Sequence, residues 1–258
     1  MAAGVVRRLD DATPERATGD TAETFELIAD PHYAEAMRLR VLRFSAGTSA
    51  RRVDRAHDDL LFVTSGSGTL HAGGADQDLA AGVAAFVAVG ESWSVTVGAG
   101  HQLELWGVLV PAPPGPAARA MAKPSGAARR AARLGAQERQ EATSHRAYEV
   151  LFDASSGSGG ATQFVGFIPP SGAPEHYHLY DELCVILRGQ GVLHTQGTRQ
   201  PIAAGSAFHI APRLLHSVQN TGTGDLWILG VFRPEGSPSA AYYPDGTPAP
   251  GHDDAGLG

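Results

Sequence analysis

The chain has 258 residues, of which 43% are hydrophobic and 18% charged, enough for one large β domain or two domains of about 100 residues each. Its net charge of −7 argues against binding to nucleic acid, and its apolar stretches are too short to predict a span of a membrane. The single cysteine, Cys184, excludes an intrachain disulfide. Because no signal peptide is apparent, we expect a cytoplasmic protein.

The two halves of the chain repeat one another at an offset of 123 residues. When 41–111 is aligned on 164–234 without a gap, 21 of 71 positions are identical. The glycine-containing run 66–71, for example, falls on 189–194. A match of this length without a gap predicts a tandem duplication.

Residues 1–24 are predicted to form an N-terminal arm, which precedes a first unit at 25–111. In this unit the apolar run 60–63 leads into a Gly-x-Gly turn at 66–68, and the glycine pair 73–74 stands where a hairpin turns. Short strands separated by turn residues about every 8 to 12 positions are typical of a small β-barrel or jelly roll. We therefore predict an all-β fold with one barrel in each unit.

Two segments lie outside the predicted barrels. The linker 112–147 opens with a proline-rich stretch and continues at 127–141 with alanine, arginine, glutamine and glutamate, a composition that favours helix. The tail 237–258 is rich in proline, glycine and aspartate. We expect the linker to be partly helical and solvated, and the tail to have little structure of its own, with Tyr242 and Tyr243 as the residues able to dock on a barrel.

The second unit, 148–236, contains the most informative segment of the chain, Glu-His-Tyr-His-Leu-Tyr-Asp-Glu. His176 and His178 are two residues apart, so on a strand they project to the same side, and Glu182 has the same parity. His216 follows later in the unit. Three imidazoles and one carboxylate suit a divalent first-row transition metal. On a six-coordinate ion they leave positions free for water, substrate or O₂.

These residues resemble the two metal-binding motifs of the cupin superfamily. The first motif, G-x5-H-x-H-x(3–4)-E-x6-G, is matched from His176 to Gly189, although its leading glycine is replaced. The second, G-x5-P-x-G-x2-H-x3-N, is matched from Gly205 to Asn220, with Arg213 where the family has glycine. The resemblance extends over both halves, about 180 residues, and implies a bicupin, a chain of two tandem cupin barrels.

The resemblance assigns the family's metal-binding roles to four residues of the second barrel, His176, His178, Glu182 and His216. It implies one bound divalent transition metal. Because the same ligands accept Fe, Mn, Ni, Zn, Co or Cu, the sequence leaves the identity of the ion open.

The first unit lacks this ligand set. At the offset of 123 residues the four ligand positions correspond, in chain order, to Val53, Arg55, Asp59 and Trp93. We therefore expect no metal in the first barrel and, as a hypothesis, an ion pair between Arg55 and Asp59 in its place. The alternative is a substrate pocket lined by Arg55 and Trp93.

Four further residues of the second unit have chemistry that a metal site can use. Tyr180 has the parity of Glu182 and is either a pocket residue or part of the core. Cys184 has the same parity and is expected to be inert packing. His209 is expected to lie behind the ligands or in the core, and Asp181 is expected to point outward.

The reaction is open at this point. The first interpretation is a mononuclear non-haem metal enzyme that resembles the cupin dioxygenases and acts on a small organic substrate. The second is a non-redox isomerase, lyase or cyclase in which the metal polarises a carbonyl group. The third is a binding module without turnover. A shortage of cavity-facing acids and bases favours the first, and a homodimer is a further expectation.

Overall fold

The computed structural model describes residues 4–29, 37–112, 130–142, 145–158, 160–170, 174–250 and 252. Within these ranges the regular structure consists of β-strands and two short 3-10 helices, Leu9–Asp11 and Ala154–Ser156. The strands of the first half are β1 (Arg7–Arg8), β2 (Ala22–Ala29), β3 (Arg38–Phe44), β4 (Gly47–Thr48), β5 (Arg52–Val53), β6 (His57–Ala72), β7 (Ala75–Ala80), β8 (Val83–Val87), β9 (Ser92–Val97) and β10 (Leu103–Pro111). Those of the second half are β11 (Ala131–Arg133), β12 (Arg139–Ala142), β13 (Arg146–Phe152), β14 (Thr162–Ile168), β15 (Asp181–Arg188), β16 (Gln190–Thr195), β17 (Thr198–Ala203), β18 (Ser206–Ile210), β19 (His216–Asn220) and β20 (Leu226–Arg233).

Each half folds into an antiparallel jelly roll, which confirms the predicted fold class. In the second half a seven-stranded sheet of order β1-β18-β15-β20-β14-β13-β12 faces a three-stranded sheet of order β17-β16-β19. The first half has the main order β11-β8-β6-β10-β3-β2, completed by β4, β5, β7 and β9. The long strand β6 belongs to both layers, because its first part pairs with β8 and its last part with β7 and β9. No helix among the described residues has the length and apolar character needed to cross a membrane.

The strands confirm the internal repeat but correct part of its alignment. β7 and β8 recur as β17 and β18 at an offset of 123 residues, with equal lengths. β3, however, recurs as β14 at an offset of 124 residues. The part of the ungapped alignment that precedes β6 is therefore wrong by one residue. The first half has one more residue just before β6 than the second half has just before β15.

A strand from each of the two segments that precede a barrel pairs with the other barrel. β1, from the predicted arm 1–24, pairs with β18 of the second barrel, while β11, from the predicted linker 112–147, pairs with β8 of the first. The helix predicted at 127–141 is wrong where the structure describes the chain, since 130–142 contains β11 and β12. The residues 127–129 lie outside the described part. Pairing with open sheet edges here overrides the helix propensity of the composition.

The two barrels share a hydrophobic core on the faces that they turn toward each other. Phe86 of the first barrel and Phe152 of the second have ring centroids 5.9 Å apart in this shared core. Asp181 does point away from the interior of its own barrel, but the face on which it lies is covered, so the residue is only 1% exposed. It accepts a hydrogen bond of 2.6 Å from Nε2 of His209, which explains how a carboxylate is accommodated there.

Candidate metal centre

Three histidines of the second barrel meet in its interior. His176 and His178 lie in the segment before β15, and His216 is the first residue of β19. Two backbone hydrogen bonds of 2.9 Å join His176 to His216, so these side chains leave the backbone next to each other. One ring nitrogen of each histidine lies within 4.8 Å of those of the other two, and all three residues are buried. The structure thus brings together three of the four predicted ligands.

The backbone fixes the orientation of all three imidazole rings. Nδ1 of each ring lies 2.8–2.9 Å from a carbonyl oxygen, with the pairs His176 to Pro174, His178 to Ala240 and His216 to Leu214. Because a carbonyl can only accept, each Nδ1 carries the hydrogen and each Nε2 keeps a lone pair for a ligand. Metal-binding histidines are held in this way, so the residues present fit a divalent ion.

The surroundings keep the histidines in the neutral form that binds a metal. Burial lowers the pKa of His178 to about 3 and that of His216 to about 4. The pKa of His176 also lies well below its usual value, because of burial and then the nearby His216 and His178. Protons therefore do not compete with a metal ion at these three nitrogens near neutral pH.

Glu182, the fourth predicted ligand, faces the same interior from β15. Its Oε2 lies 3.9 Å from Nε2 of His178, and its carboxylate accepts a hydrogen bond from the thiol of Cys184. It does not belong to the tight group formed by the three histidines, so its role as a ligand stays a prediction. Cys184 lies on the wall of the cavity, on the side that its parity indicates.

We expect the affinity for Zn(II) to fall by about tenfold for each pH unit below 7. Burial raises the pKa of Glu182 to about 7, so below that pH the metal-free protein holds a proton on this carboxyl group. An ion that uses the carboxylate has to displace the proton, whereas the histidines are already deprotonated. Titration calorimetry in buffers of different ionisation enthalpy measures both the affinity and the protons released.

The matched variant Glu182→Gln has no proton to lose at this position. Its affinity for Zn(II) is expected to be weaker at pH 7 than that of the unmodified protein, and independent of pH down to about pH 5. If the unmodified protein also shows an affinity independent of pH, the three histidines hold the ion without Glu182.

Tyr180 lines the cavity and contacts one of the candidate metal-binding histidines. Its ring stacks between the imidazole of His178, at 4.7 Å, and the ring of Phe232, at 4.1 Å. Its hydroxyl group lies 3.0 Å from Nδ1 of His178. Burial holds the pKa of Tyr180 well above its usual value, so the hydroxyl group stays protonated. Tyr180 therefore both packs in the core and lines the pocket, the two roles that the sequence left open.

The tail contributes a backbone carbonyl group to the site. The sequence indicated only that two tyrosines of the tail are able to dock on a barrel. Tyr242 forms two backbone hydrogen bonds with Tyr177, and their rings stack at 5.4 Å. This contact places the carbonyl group of Ala240 at Nδ1 of His178. Since backbone carbonyls carry no sequence signal, nothing in the composition of the tail pointed to this role.

Arg146 is a residue of the cavity wall that the sequence analysis missed. It is the first residue of β13 and lines the cavity that contains the histidines. Burial is the main cause of the lowered pKa of the three histidines and of the raised pKa of Glu182. The positive charge of Arg146 adds to the first effect and opposes the second. Arg146 lies 30 residues before His176 and belongs to no motif, so only the pairing of β13 with β14 brings it to the site.

The cavity has a volume of about 620 Å³, including its opening to solvent. Most of the remaining wall is apolar and comes from β14, β18, β19 and β20: Phe164, Ile168, Phe208, Ile210, Val218 and Ile228. A polar cluster inside a mainly apolar cavity is typical of a site for a small organic molecule.

In the first barrel the structure corrects two of the four positions matched to the ligands. Arg52 lies opposite Trp93 as His176 lies opposite His216. The carbonyl of Asp54 accepts from the backbone of Gly90, as that of His178 accepts from Arg213. The counterparts of His176 and His178 are therefore Arg52 and Asp54, and the earlier assignment to Val53 and Arg55 is wrong by the one residue that shifts the alignment.

The ion pair predicted between Arg55 and Asp59 is also wrong. Arg55 is exposed, and the buried Asp59 pairs with Arg40 of β3. Arg52 forms a second ion pair, of 2.7 Å, with Asp20, and its guanidinium lies 5.6 Å from the ring of Trp93. Ion pairs thus do occupy two of the positions that the ligands have in the second barrel, but their partners, Asp20 and Arg40, come from elsewhere in the chain. Since Arg55 is exposed, the alternative pocket lined by Arg55 and Trp93 is not formed either.

Arg213 makes the turn for which the cupin motif has a glycine. Its φ is +63°, in the left-handed region that favours glycine, and its first-barrel counterpart is Gly90, with φ +77°. The turn is thus retained in spite of the substitution, and it leads into His216 at the start of β19.

The second barrel matches a known family, and most of the chain matches known folds. The Cupin domain family matches residues 164–232. Auxin-binding protein 1 of Arabidopsis thaliana is 38% identical over 75 residues, 26% of this chain and 38% of that protein. The oxalate-binding protein of Thermotoga maritima is 36% identical over 66 residues, 24% of this chain and 54% of that protein. Both matches thus span well under two thirds of the relative's length.

A likeness in fold extends further along the chain. A structure of Bacillus subtilis oxalate decarboxylase OxdC, from a study of its Mn(II) centres, matches with a TM-score of 0.71 and 13% identity and covers 92% of this chain and 79% of that one. At this identity the likeness concerns the fold alone.

Proposed function

Because this chain belongs to the cupin superfamily and gathers its candidate ligands in the second barrel, we propose that it is a metal-dependent enzyme that acts on a small organic molecule there. The observation that carries the proposal is the orientation of the three histidines. Each Nδ1 is fixed by a carbonyl group, and each Nε2 is left for an ion. Histidines that served packing alone would not need to gather three ring nitrogens within 4.8 Å of one another.

The chemistry that we propose is an oxidation that uses O₂. A divalent transition ion supplies positions for a substrate oxygen atom and for O₂. In the described cavity wall, the ionisable groups beside the histidines are Arg146, Tyr148, Tyr180, Glu182 and Cys184. If Glu182 is a ligand, the wall offers no carboxylate as a general base, and burial keeps the pKa of Tyr180 and of Cys184 well above their usual values. Such a site favours a reaction in which the protein moves few protons.

A non-redox isomerase or lyase is the second candidate, and Glu182 is the observation that favours it. With a pKa of about 7, a carboxyl group that is not bound to the metal can accept and donate a proton near neutral pH. In that case the three histidines hold the ion, and Glu182 lies 3.9 Å from one of them as the acid or base.

The test combines metal analysis with oxygen uptake. We expect the purified chain, supplied with Fe(II) or Mn(II), to bind about one ion per chain and to consume O₂ with a member of a panel of diols, diketones and flavonoids. Metal-dependent turnover without O₂ uptake supports the isomerase or lyase. A metal-loaded chain that converts no member of the panel supports a binding module, and a chain that binds no ion contradicts the proposal.

A further inference from the structure

The tail hairpin, defined as residues 240–249, lies against the segment that carries two of the candidate ligands. We infer that Tyr242 is a positioning residue of the metal centre, because the tail hairpin that it anchors keeps His178 in the orientation and tautomer that bind an ion. Docking of the tail hairpin and binding of the ion are therefore coupled. This inference rests on the proposed function and specifies how the metal site is controlled.

The tail hairpin is closed by its own hydrogen bonds. The amide of Ala249 donates to the carbonyl group of Ala241, and the amide of Tyr243 donates to that of Thr247. At the turn the side chain of Asp245 accepts from both the amide and the hydroxyl group of Thr247. The hairpin therefore docks on the barrel as one small unit.

The docking contact is made at the segment between the first two histidines. Tyr177 lies between His176 and His178 and exchanges two backbone hydrogen bonds, of 2.9 and 3.0 Å, with Tyr242. The two tyrosine rings stack at 5.4 Å. On the other side, His176 forms its backbone pair with His216 of β19. The segment that carries the ligands is thus held between β19 and the tail hairpin.

Two groups compete for Nδ1 of His178. The carbonyl group of Ala240 lies 2.9 Å away and can only accept, so Nδ1 carries the hydrogen and Nε2 keeps its lone pair. The hydroxyl group of Tyr180 lies 3.0 Å away and is able to donate. While the tail is docked, this hydroxyl group has the carbonyl group of Ser237, at 3.5 Å, as its acceptor.

Undocking of the tail hairpin withdraws the carbonyl group of Ala240. The hydroxyl group of Tyr180 then donates to Nδ1 of His178, and the hydrogen of the imidazole ring moves to Nε2. In this tautomer Nε2 has no lone pair for an ion. An ion therefore binds the docked state more tightly and, by linkage, favours docking by the same factor.

The ring of Tyr242 is the part of this contact that a substitution can remove. Ala240, Ala241 and Ala249 are buried, but alanine side chains contribute little apolar area. The stacked ring of Tyr242 adds a larger contact. Its removal is therefore expected to undock the tail hairpin while the barrel stays folded.

The first test measures the affinity for Zn(II), which supports no redox turnover, by calorimetry. Tyr242→Ala is expected to weaken the binding by about 10- to 100-fold, the usual effect of losing a group that orients a metal-binding histidine. Tyr242→Phe keeps the stacked ring and is expected to stay within about twofold of the unmodified protein.

A matched control separates positioning from a general loss of stability. The ring of Trp227 contacts Phe167 at 5.2 Å and packs against the core shared by the two barrels. Trp227→Ala therefore removes an aromatic contact of the same barrel away from the tail. It is expected to lower the free energy of unfolding and to leave the affinity for Zn(II) unchanged.

Two further measurements report on docking and on the tautomer. Saturating Zn(II) is expected to slow hydrogen exchange at the amide of Tyr242 by about 10- to 100-fold, and to leave the amide of His101, in an exposed turn of the first barrel, unchanged. Nitrogen NMR of the metal-free protein is expected to show hydrogen on Nδ1 of His178, and on Nε2 in Tyr242→Ala.

A second substitution tests the competing donor. In Tyr242→Ala, the additional change Tyr180→Phe removes the hydroxyl group that donates to Nδ1 of His178. The double variant is expected to regain most of the lost affinity for Zn(II). A role of Tyr242 in stability alone predicts a further loss instead, because Tyr180 is buried.

The outcomes are distinct. If Tyr242→Ala leaves the affinity unchanged, deletion of residues 237–258 removes the tail altogether, and an unchanged affinity in that variant as well overturns the inference. Hydrogen exchange at Tyr242 that does not respond to Zn(II), an equal loss of affinity in Trp227→Ala, or no recovery with Tyr180→Phe also overturns it, while the metal site stands. If the unmodified chain binds no Zn(II), both the inference and the proposed function fail.

Discussion

Replacing His216 by alanine is expected to weaken the binding of Zn(II) by about 100- to 1,000-fold. In structural zinc sites a set of about four ligands contributes about 10–16 kcal/mol, or roughly 2.5–4 kcal/mol for each ligand. His216 is central to the group, because its ring lies 4.4 Å from that of His176 and 5.3 Å from that of His178. Its backbone also pairs with that of His176, so the side chain of a neighbouring residue cannot take its place beside His176.

The affinity is measured by calorimetry or by competition with a chelator, and the metal content by elemental analysis. His194→Ala is the matched control, because His194 lies on β16 of the same barrel and its ring contacts Gln219 and not the cavity. We expect this control to bind Zn(II) as the unmodified protein does. One equivalent of tightly bound zinc in His216→Ala would remove His216 from the ligand set.

Replacing Arg40 by alanine is expected to lower the free energy of unfolding by about 3 kcal/mol, the lower end of what breaking a buried ion pair costs. Arg40 pairs with Asp59, whose side chain is 3% exposed. Burial raises the pKa of Asp59, and Arg40 is the group that most opposes this rise. Without Arg40 the carboxyl group is left either charged and unpaired or protonated in the interior of the first barrel.

The same strand supplies the control. Arg38 forms an ion pair of 2.6 Å with Glu26, but both side chains are more than a third exposed, so Arg38→Ala is expected to cost less than about 1 kcal/mol. Urea unfolding followed by tryptophan fluorescence compares the two variants. Equal losses in both would show that the buried pair contributes no more than an exposed one. The double variant Arg40→Met, Asp59→Leu is expected to regain most of the stability, because it removes both charges together.

Together these experiments address a division of roles between two barrels of common descent. In the second barrel the positions that face the interior hold groups with free lone pairs, and the surrounding carbonyls orient them. In the first barrel the corresponding positions hold Arg52 and Asp59, each paired with an opposite charge. Paired charges satisfy each other, and the absence of a metal from the first barrel stays a prediction. We therefore regard the first barrel as a scaffold that covers one face of the second through the shared core.

The sequence by itself determined the duplication, the all-β fold and the candidate ligands. Strand and turn residues act over a few neighbouring positions, and the His-x-His spacing alone sends two side chains to one side of the chain. For this reason the common orientation of His176 and His178 was predictable, whereas His216 was added by the resemblance to the cupin motifs. The structure confirms the group of three.

The tertiary structure alone decided which distant groups surround these residues. Arg146 and the carbonyl of Ala240 reach the site through strand pairing and docking of the tail, and neither interaction has a local signature. One additional residue at the entry to β6 shifted the alignment, so that Arg52 rather than Val53 takes the inward place. A shift of one residue on a strand reverses the face to which a side chain points, and only the hydrogen-bonded register shows where that shift lies.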